Sequence, residues 1–265
     1  MILLGEKLNS SIPSVLEAIR AKDGEAIRSL ASAQEKAGAD FLDINAGMMQ
    51  EEETSSLLWM MEEVRAVSSL PLVIDSPDPA VSRAAMENYT GPKPILNSVT
   101  LDPMRLDPML ELAVQKNASL VALCMDNSDC PDETEHRIAA ADELVETITA
   151  AGLTPEDIYL DPLIHPVSAD PEAGKNALRV IRAIRQKHPQ VHIACGLSNV
   201  SYGLPARGLL NRAFLVCAMA AGLDSAILNP LDRELMSLLR AARALLGEDK
   251  YCMDYIESFR EGLLG

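Results

Sequence analysis

The chain is poor in aromatic residues, has no basic excess and contains no long apolar segment. Aromatic residues make up 3% of its 265 residues, and 39 aspartates and glutamates against 23 lysines and arginines give a net charge of −16. Nucleic-acid binding needs a basic surface, and anionic membranes repel an acidic one, so both partners are disfavoured. No run approaches the ~18 apolar residues of a membrane span, and Met1–Leu4 is too short for a signal peptide.

Cysteine and histidine are too scattered to indicate a disulfide framework or a metal site. The five cysteines are odd in number and include no Cys-x-x-Cys pair, and the four histidines form neither His-x-His nor His-Glu-x-x-His. This usage predicts a reducing, cytoplasmic environment and no bound metal.

Apolar strand-like segments alternate with amphipathic helical segments along the whole chain. The predicted strands are Ile2–Leu4, Phe41–Asn45, Leu72–Asp75, Ile95–Ser98, Leu120–Met125, Ile158–Asp161, Val191–Cys195 and Ala226–Leu228. Eight strand–helix units in a chain of this length predict a (β/α)8 TIM barrel that forms one domain over residues 1–265. A doubly wound open sheet is the alternative, but it usually carries a glycine-rich turn after its first strand, and Gly5–Asn9 is not one.

The helical segments have apolar residues at a spacing close to 3.6 residues. They are Gly24–Ala37, Thr54–Val67, Pro79–Asn88, Met104–Lys116, Glu133–Ala150, Pro171–Lys187, Leu204–Ala221 and Arg233–Leu246, with one further helix predicted at Tyr251–Leu264.

Short polar side chains recur where the predicted strands end. They are Glu6, Asn9, Asp43, Asn45, Asp75, Asn97, Asp126, Asp161, Asn199 and Asn229. In a parallel barrel all of these ends lie on one rim, so acids and amides from distant parts of the chain would face a single pocket.

Asp75, Asn97 and Asp161 have the chemistry to bind a flat, polar heterocycle. A carboxylate can accept two parallel N–H bonds from an amidine-like edge, and an amide offers both a donor and an acceptor. Each residue could instead cap a helix, which Asp and Asn do well. Asp75 and Asp161 could also form a glycosidase acid/base pair, although the scarcity of aromatic platforms for a sugar disfavours that function.

The segment from Ala194 to Arg212 leaves a strand, passes two glycines and enters a helix with Pro205 in its first turn. Gly196 would let the backbone approach a ligand closely, and Ser198 and Asn199 are expected to point into the barrel mouth.

Five motifs together resemble the pterin-binding family, and in particular its methyltetrahydrofolate:corrinoid methyltransferase branch. The motifs are Asp43-Ile44-Asn45-Ala46-Gly47, Val73-Ile74-Asp75-Ser76, Leu96-Asn97-Ser98-Val99, Tyr159-Leu160-Asp161-Pro162-Leu163 and Gly196-Leu197-Ser198-Asn199-Val200-Ser201-Tyr202-Gly203. The resemblance runs in order from Gly5-Glu6 to Asn229-Pro230.

The resemblance implies roles for four of the eight candidate site residues. It implies that Asp75, Asn97 and Asp161 hold the pterin ring and that Asn199, the catalytic candidate, lies near the N5 atom that carries the methyl group. Further substrate contacts are expected from Asp43, Gly196, Ser198 and Arg207, although Arg207 is equally compatible with a helix-surface charge. No metal ligand is expected.

The resemblance also implies partners and a reaction. Tetrahydrofolate or its methyl derivative is the substrate, the corrinoid (cobalamin) is carried by a separate protein, and the chain forms a homodimer. The methyl group would move between N5 and cobalt, in either direction. The alternatives are a dihydropteroate synthase-like enzyme, whose lysine-bearing motif and C-terminal Ser-x-Arg-x-His are missing here, and a folate-binding protein without catalysis.

Overall fold

The computed structural model describes residues 1–125 and 133–264 and contains eight parallel strands, each followed by helical structure. The strands are β1 (Ile2–Asn9), β2 (Phe41–Asn45), β3 (Leu72–Asp75), β4 (Ile95–Val99), β5 (Ser119–Leu123), β6 (Ile158–Asp161), β7 (His192–Ile193) and β8 (Ser225–Leu228).

Ten α-helices surround the strands in the described ranges. They are α1 (Pro13–Ala21), α2 (Gly24–Lys36), α3 (Glu53–Arg65), α4 (Pro79–Asn88), α5 (Pro103–Lys116), α6 (Thr134–Ala150), α7 (Ala173–Lys187), α8 (Arg207–Ala221), α9 (Arg233–Leu245) and α10 (Met253–Arg260). Short 3₁₀ helices cover Gly47–Glu52, Pro155–Asp157, Leu197–Ser201 and Lys250–Cys252. Asp78 and Asp102 cap α4 and α5 by accepting backbone N–H bonds, and a proline follows each of them at the first helical position.

The strands form a closed barrel, which confirms the predicted (β/α)8 TIM barrel. Their order is β7-β6-β5-β4-β3-β2-β1-β8, with parallel pairing between neighbours. Just beyond β7, Gly196 forms a parallel bridge to Ile227 of β8, and the Ile227 N–H donates to the Cys195 carbonyl at 2.9 Å. This bridge joins the two ends of the sheet.

Several predicted boundaries differ from the structure. β1 extends to Asn9 because its polar second half still pairs with β2, α1 was not predicted, and α10 is shorter than the Tyr251–Leu264 helix expected. Asp126, which was expected at a strand end, and Cys130, one of the five cysteines, lie outside the described residues.

The core has two parts that the sheet separates. A large apolar cluster fills the space between the strands and the surrounding helices, and a smaller one occupies the barrel interior. Across residues 1–125 and 133–264, no helix is long and apolar enough to span a bilayer.

Candidate functional site

One layer of polar side chains lies directly above the apolar interior of the barrel. That interior is built from Leu4, Val73, Ile95, Val121, Tyr159 and Ala194, with Phe41 and Ile227 packed against them. Side chains alternate across a strand, so the residue two positions further on again points inward, nearer the carboxyl end. Those next positions are Glu6, Asp43, Asp75, Asn97, Leu123, Asp161, Gly196 and Asn229. Seven of the eight lack an apolar side chain, which is why this end of the barrel opens into a polar site.

A cavity of about 850 Å³ opens at this end. Six of the eight predicted site residues line it, namely Asp43, Asp75, Gly196, Ser198, Asn199 and Arg207. The other lining residues come from the segments after β1 and β8 and from α8 and α9, including Glu6, Lys7, Asn9, Ile12, Pro13, Tyr202, Asn211, Asn229 and Leu235. The structure therefore brings segments more than 200 residues apart, from Glu6 to Leu235, to one cavity.

Asn97 and Asp161 do not line this cavity, but they belong to the same layer. Asn97 pairs with Asp75 across β3 and β4, and its side chain hydrogen-bonds Asp43, which offsets a small part of the rise that burial causes in the pKa of that carboxyl. The carboxylate of Asp161 accepts the Leu163 N–H at 2.8 Å, and its charge, after burial, raises the pKa of the Cys195 thiol beside Gly196. Neither residue is part of the cavity lining, although both belong to the strand-end layer that contributes Asp43, Asp75 and Gly196 to it.

The acids of the layer are held in surroundings that favour their protonated form. Burial raises the pKa of Asp75 and of Asp161 to about 6. Asp43 is 2% exposed, and burial followed by repulsion from Asp75 and Glu6 raises its pKa well above the usual range. Burial also raises the pKa of Glu6. Clustered acids with raised pKa values are typical of ligand-binding and catalytic sites.

Asp75 is oriented by an amide on the neighbouring strand. The Asn45 side-chain N–H₂ donates to Asp75 Oδ2 at 3.0 Å, while Asn45 Oδ1 accepts from Ser10 Oγ at 2.9 Å and from the Gly47 N–H at 3.0 Å. The second carboxylate oxygen of Asp75 accepts no hydrogen bond from any described residue, and the side chain lies at the cavity wall. That oxygen can accept from a ligand.

The turn that carries Asn199 is packed closely over the barrel end. A Cβ atom at Gly196 would lie 3.0 Å from Asn199 Nδ2, so the bare glycine lets the amide fold back over the strand end. Arg207 holds the turn in place, since its Nη2 donates to the Ser198 carbonyl at 2.7 Å and its Nε to Ser201 Oγ at 3.0 Å. The Asn199 amide itself forms no side-chain hydrogen bond with the described residues.

Sequence reasoning gave no role to several residues that the structure places in the cavity. Glu6 and Asn229 were recognised only as polar strand ends, and the alternation above would have assigned both to the site. Tyr202 was quoted within the Gly196–Gly203 motif but was given no role of its own. Lys7 and Asn211 carried no signal, because the inward placement of Lys7 depends on a strand irregularity and that of Asn211 on the position of α8. In the described part of the chain, no group of three or more His, Cys, Asp or Glu side chains is arranged to hold a metal ion.

Comparison with known proteins relates the chain to a family. A family model described as "Pterin binding enzyme" matches residues 5–229. The "Methylcorrinoid:tetrahydrofolate methyltransferase" of Eubacterium limosum is 39% identical over 267 residues, which cover 100% of this chain and 98% of that protein. The "Methionine synthase" of Mycobacterium leprae is 29% identical over 86% of this chain, which spans only 20% of that longer protein.

Among solved structures, the dihydropteroate synthase of Thermus thermophilus, crystallised in complex with 6HMPPP, superposes with a TM-score of 0.65 over 93% of both chains. At 18% identity this likeness concerns the fold.

Proposed function

The chain belongs to the pterin-binding enzyme family, and from that membership we propose that it transfers a methyl group between a methylcorrinoid and N5 of tetrahydrofolate. The observation that carries the proposal is that Asp75 and Asn199, from opposite halves of the chain, open onto one cavity. The full-length similarity to a methylcorrinoid:tetrahydrofolate methyltransferase supports it further.

The proposed pterin socket uses the acids and the amide of the polar layer. Asp75 and Asp161 accept the parallel N–H groups of the pterin edge, and Asn97 pairs with the ring nitrogen and carbonyl groups. Asp43, Gly196, Ser198 and Arg207 complete the contacts, with Arg207 acting mainly through the turn that it holds. The unpartnered oxygen of Asp75 supports this assignment, because a partly buried acceptor without a protein donor favours a ligand that supplies one.

The reaction requires control of charge at N5. For transfer to tetrahydrofolate, the N5 lone pair bonds to the methyl carbon while the cobalt–carbon bond breaks, its electron pair stays with the corrinoid, and the N5 proton leaves to solvent. For the reverse reaction, N5 must gain a proton before it can leave as a neutral amine. The Asn199 amide can hydrogen-bond N5 in both directions and stabilise the charge that develops there.

Asn199 is not acidic enough to supply that proton, which therefore comes from solvent or a relayed water. The negative field of Asp75 and Asp161, once ionised, favours protonated N5. Their pKa values near 6 mean that this field develops as the pH rises towards neutrality.

We further propose that the corrinoid arrives on a partner protein that docks over the barrel mouth, and that methyl flows towards tetrahydrofolate in a cytoplasmic, methylotrophic demethylation pathway. The name of the Eubacterium limosum relative supports that direction. Cys124, Cys195, Cys217 and Cys252 are free thiols, in keeping with a reducing compartment. The exposed apolar side chains of Leu245, Tyr251 and Phe259 support a homodimer, which light scattering would detect.

The experiment that tests the activity mixes the protein with methylcobalamin and tetrahydrofolate and, separately, with methyltetrahydrofolate and reduced cobalamin. Methyl transfer is expected to change the methyl–cobalt absorption spectrum and to produce the methylated or demethylated folate. Folate binding without either change would assign the chain to non-catalytic folate binding. Formation of dihydropteroate from p-aminobenzoate and a pterin pyrophosphate would assign it to the synthase alternative.

A further inference from the structure

An irregularity in β1 turns two consecutive charged residues towards the cavity. In a regular strand, neighbouring side chains point to opposite faces, so Lys7 would face the helices if Glu6 faces the barrel. The pairing of β1 with β2 shifts register between Gly5 and Leu8, and both Glu6 and Lys7 line the cavity while Leu8 is fully buried. Bulges of this kind often redirect side chains near binding sites.

The irregularity is stabilised by a buried glutamine of α2. Gln34 is 0% exposed, and its Oε1 accepts the Lys7 backbone N–H at 3.0 Å. A Cβ atom at Gly5 would lie 2.6 Å from that same oxygen, so a glycine is required for Gln34 to reach the strand. Gly5 and Gln34 together fix the position from which the Lys7 side chain enters the cavity.

Among the described residues, Lys7 is the cation at this cavity whose side chain forms no hydrogen bond or ion pair with the protein. Of the two cationic residues that line it, Arg207 already donates to Ser198 and Ser201. The Lys7 ammonium makes no hydrogen bond or ion pair with any residue in the described ranges. Its charge acts on Glu6 only through space, where it partly offsets the rise that burial causes in the pKa of Glu6.

The cavity that Lys7 lines also has apolar surface that suits an aromatic ring. The lining includes the apolar residues Ile12 and Pro13 at the start of α1, with Ile227 and Leu235 from the β8 side. The cavity is also larger than a bicyclic ring alone would fill, and pockets of this size usually enclose drug-sized ligands.

We propose that Lys7 binds a carboxylate of the benzoylglutamate tail of folate, whose aryl ring lies against Ile12 and Pro13. This inference rests on the proposed function and deepens it, because it makes the chain selective for folates over free pterins. The net charge of −16 and the acids of the lining oppose the approach of such an anion, so binding of the tail depends on a locally placed cation, which Lys7 supplies.

The test compares two ligands and three variants. Calorimetry would measure the Kd of methyltetrahydrofolate and of an N5-methylated tetrahydropterin that lacks the tail, for the wild type, Lys7→Met and Lys7→Arg. Lys7→Met is expected to weaken methyltetrahydrofolate binding about tenfold and to leave the tail-less pterin unchanged, while Lys7→Arg retains most of the affinity. Lys116→Met, at the exposed end of α5, is the matched control and should change neither Kd.

If Lys7→Met weakened the binding of both ligands equally, the inference would be overturned, because Lys7 would then support the pterin socket. An unchanged Kd for both ligands would overturn it as well. If Lys7→Met fails to fold, salt titrations of the wild-type protein test the inference instead. Added salt should then weaken methyltetrahydrofolate binding more than pterin binding, and parallel salt dependence would reject the inference. A wild type that binds neither ligand would refute the proposed function itself, a result distinguishable from all of these.

Discussion

Both rims of the barrel carry half-buried aspartates, but those at one rim form ion pairs and those at the other form none with the described residues. At the amino-terminal rim, Asp157 and Asp224 directly precede β6 and β8 and are surrounded by cations and N–H donors. At the carboxyl-terminal rim, Asp75 and Asp161 end β3 and β6 and have no cation within ion-pair distance among the described residues. The same side chain is therefore used in two ways at opposite ends of one sheet.

The pKa values show the consequence of these partners. Burial alone would raise the pKa of Asp224, but hydrogen bonds from His192 and the Ile193 N–H, with the charge of Arg185, outweigh it and lower the pKa. Burial is likewise outweighed at Asp157, where Lys93 and Thr154 donate hydrogen bonds and the pKa is lowered. At the opposite rim burial prevails, and the pKa values of Asp75 and Asp161 rise to about 6. The acids of the amino-terminal rim are therefore paired within the protein, and those of the carboxyl-terminal rim are the ones that we propose bind the ligand.

The largest expected effect is on ligand binding at the carboxyl-terminal rim. Asp161→Ala removes a carboxylate that would accept two charge-assisted bonds from the pterin, and we expect methyltetrahydrofolate affinity to fall about a thousandfold, on the order of 4 kcal/mol. Calorimetry would measure it. An unchanged Kd would show that Asp161 does not belong to the socket, and Asp157→Ala at the opposite rim is the control that should leave Kd unaltered.

The next effect separates catalysis from binding within the site. Asn199→Ala should lower the rate of methyl transfer about a hundredfold, or ~3 kcal/mol, while the Kd of methyltetrahydrofolate changes much less. Single-turnover rates and calorimetry would give the two quantities. Losses of equal size would mean that Asn199 contributes to binding generally and not to the transition state.

At the amino-terminal rim, a substitution should affect stability and leave function intact. Asp224→Asn weakens the contacts with Arg185 and His192, and because these groups are partly exposed to solvent we expect a loss of only about 1–2 kcal/mol in the free energy of unfolding at pH 7. Urea titration would measure the loss. A change in KM that corresponds to a similar free energy would show that Asp224 also affects ligand binding, and would contradict the proposed difference between the two rims.

The smallest expected effect is on the pH dependence of the free energy of unfolding, to which the acids of the two rims contribute with opposite sign. Asp75 has a folded pKa of about 6, above its unfolded value, so the native state binds this proton more tightly and stability from this group falls as pH rises from about 4 to above 6. Asp75→Asn should remove that fall and stabilise the protein at pH 7 by on the order of 1 kcal/mol. Asp224, whose folded pKa is lowered, contributes stability above its unfolded pKa that is lost as pH falls through the folded pKa.

Urea titrations of Asp75→Asn and Asp224→Asn between about pH 3 and pH 8 would test both signs against the wild type, because the Asp224 contribution is lost only in the acid part of this range. Two variants with pH dependences of the same sign would show that the rims do not differ as described.

Much of the fold could be predicted because its signals are local. Mostly apolar runs of three to six residues, each followed by a segment with apolar residues at 3.6-residue spacing, predicted the eight strands and most of the helices. The second half of β1 was missed because Glu6, Lys7 and Asn9 interrupt its apolar pattern, while its pairing with β2 depends on backbone groups that carry no such pattern. α1 was overlooked although Val15, Ala18 and Ile19 have helical spacing and Pro13 stands at its start.

The sequence by itself determined which residues could meet at the barrel mouth, because the pleat returns every second side chain to the same face and parallel strands share one carboxyl end. Only the tertiary structure decided where each of them lies. It holds Arg207 against the Asn199 turn, leaves Asn97 and Asp161 off the cavity lining and brings Lys7 inward through the contact of Gln34 with β1. These positions depend on the distances between segments that are far apart in the sequence and on the loss of water around buried charges. Neither quantity can be read from a local pattern of residues.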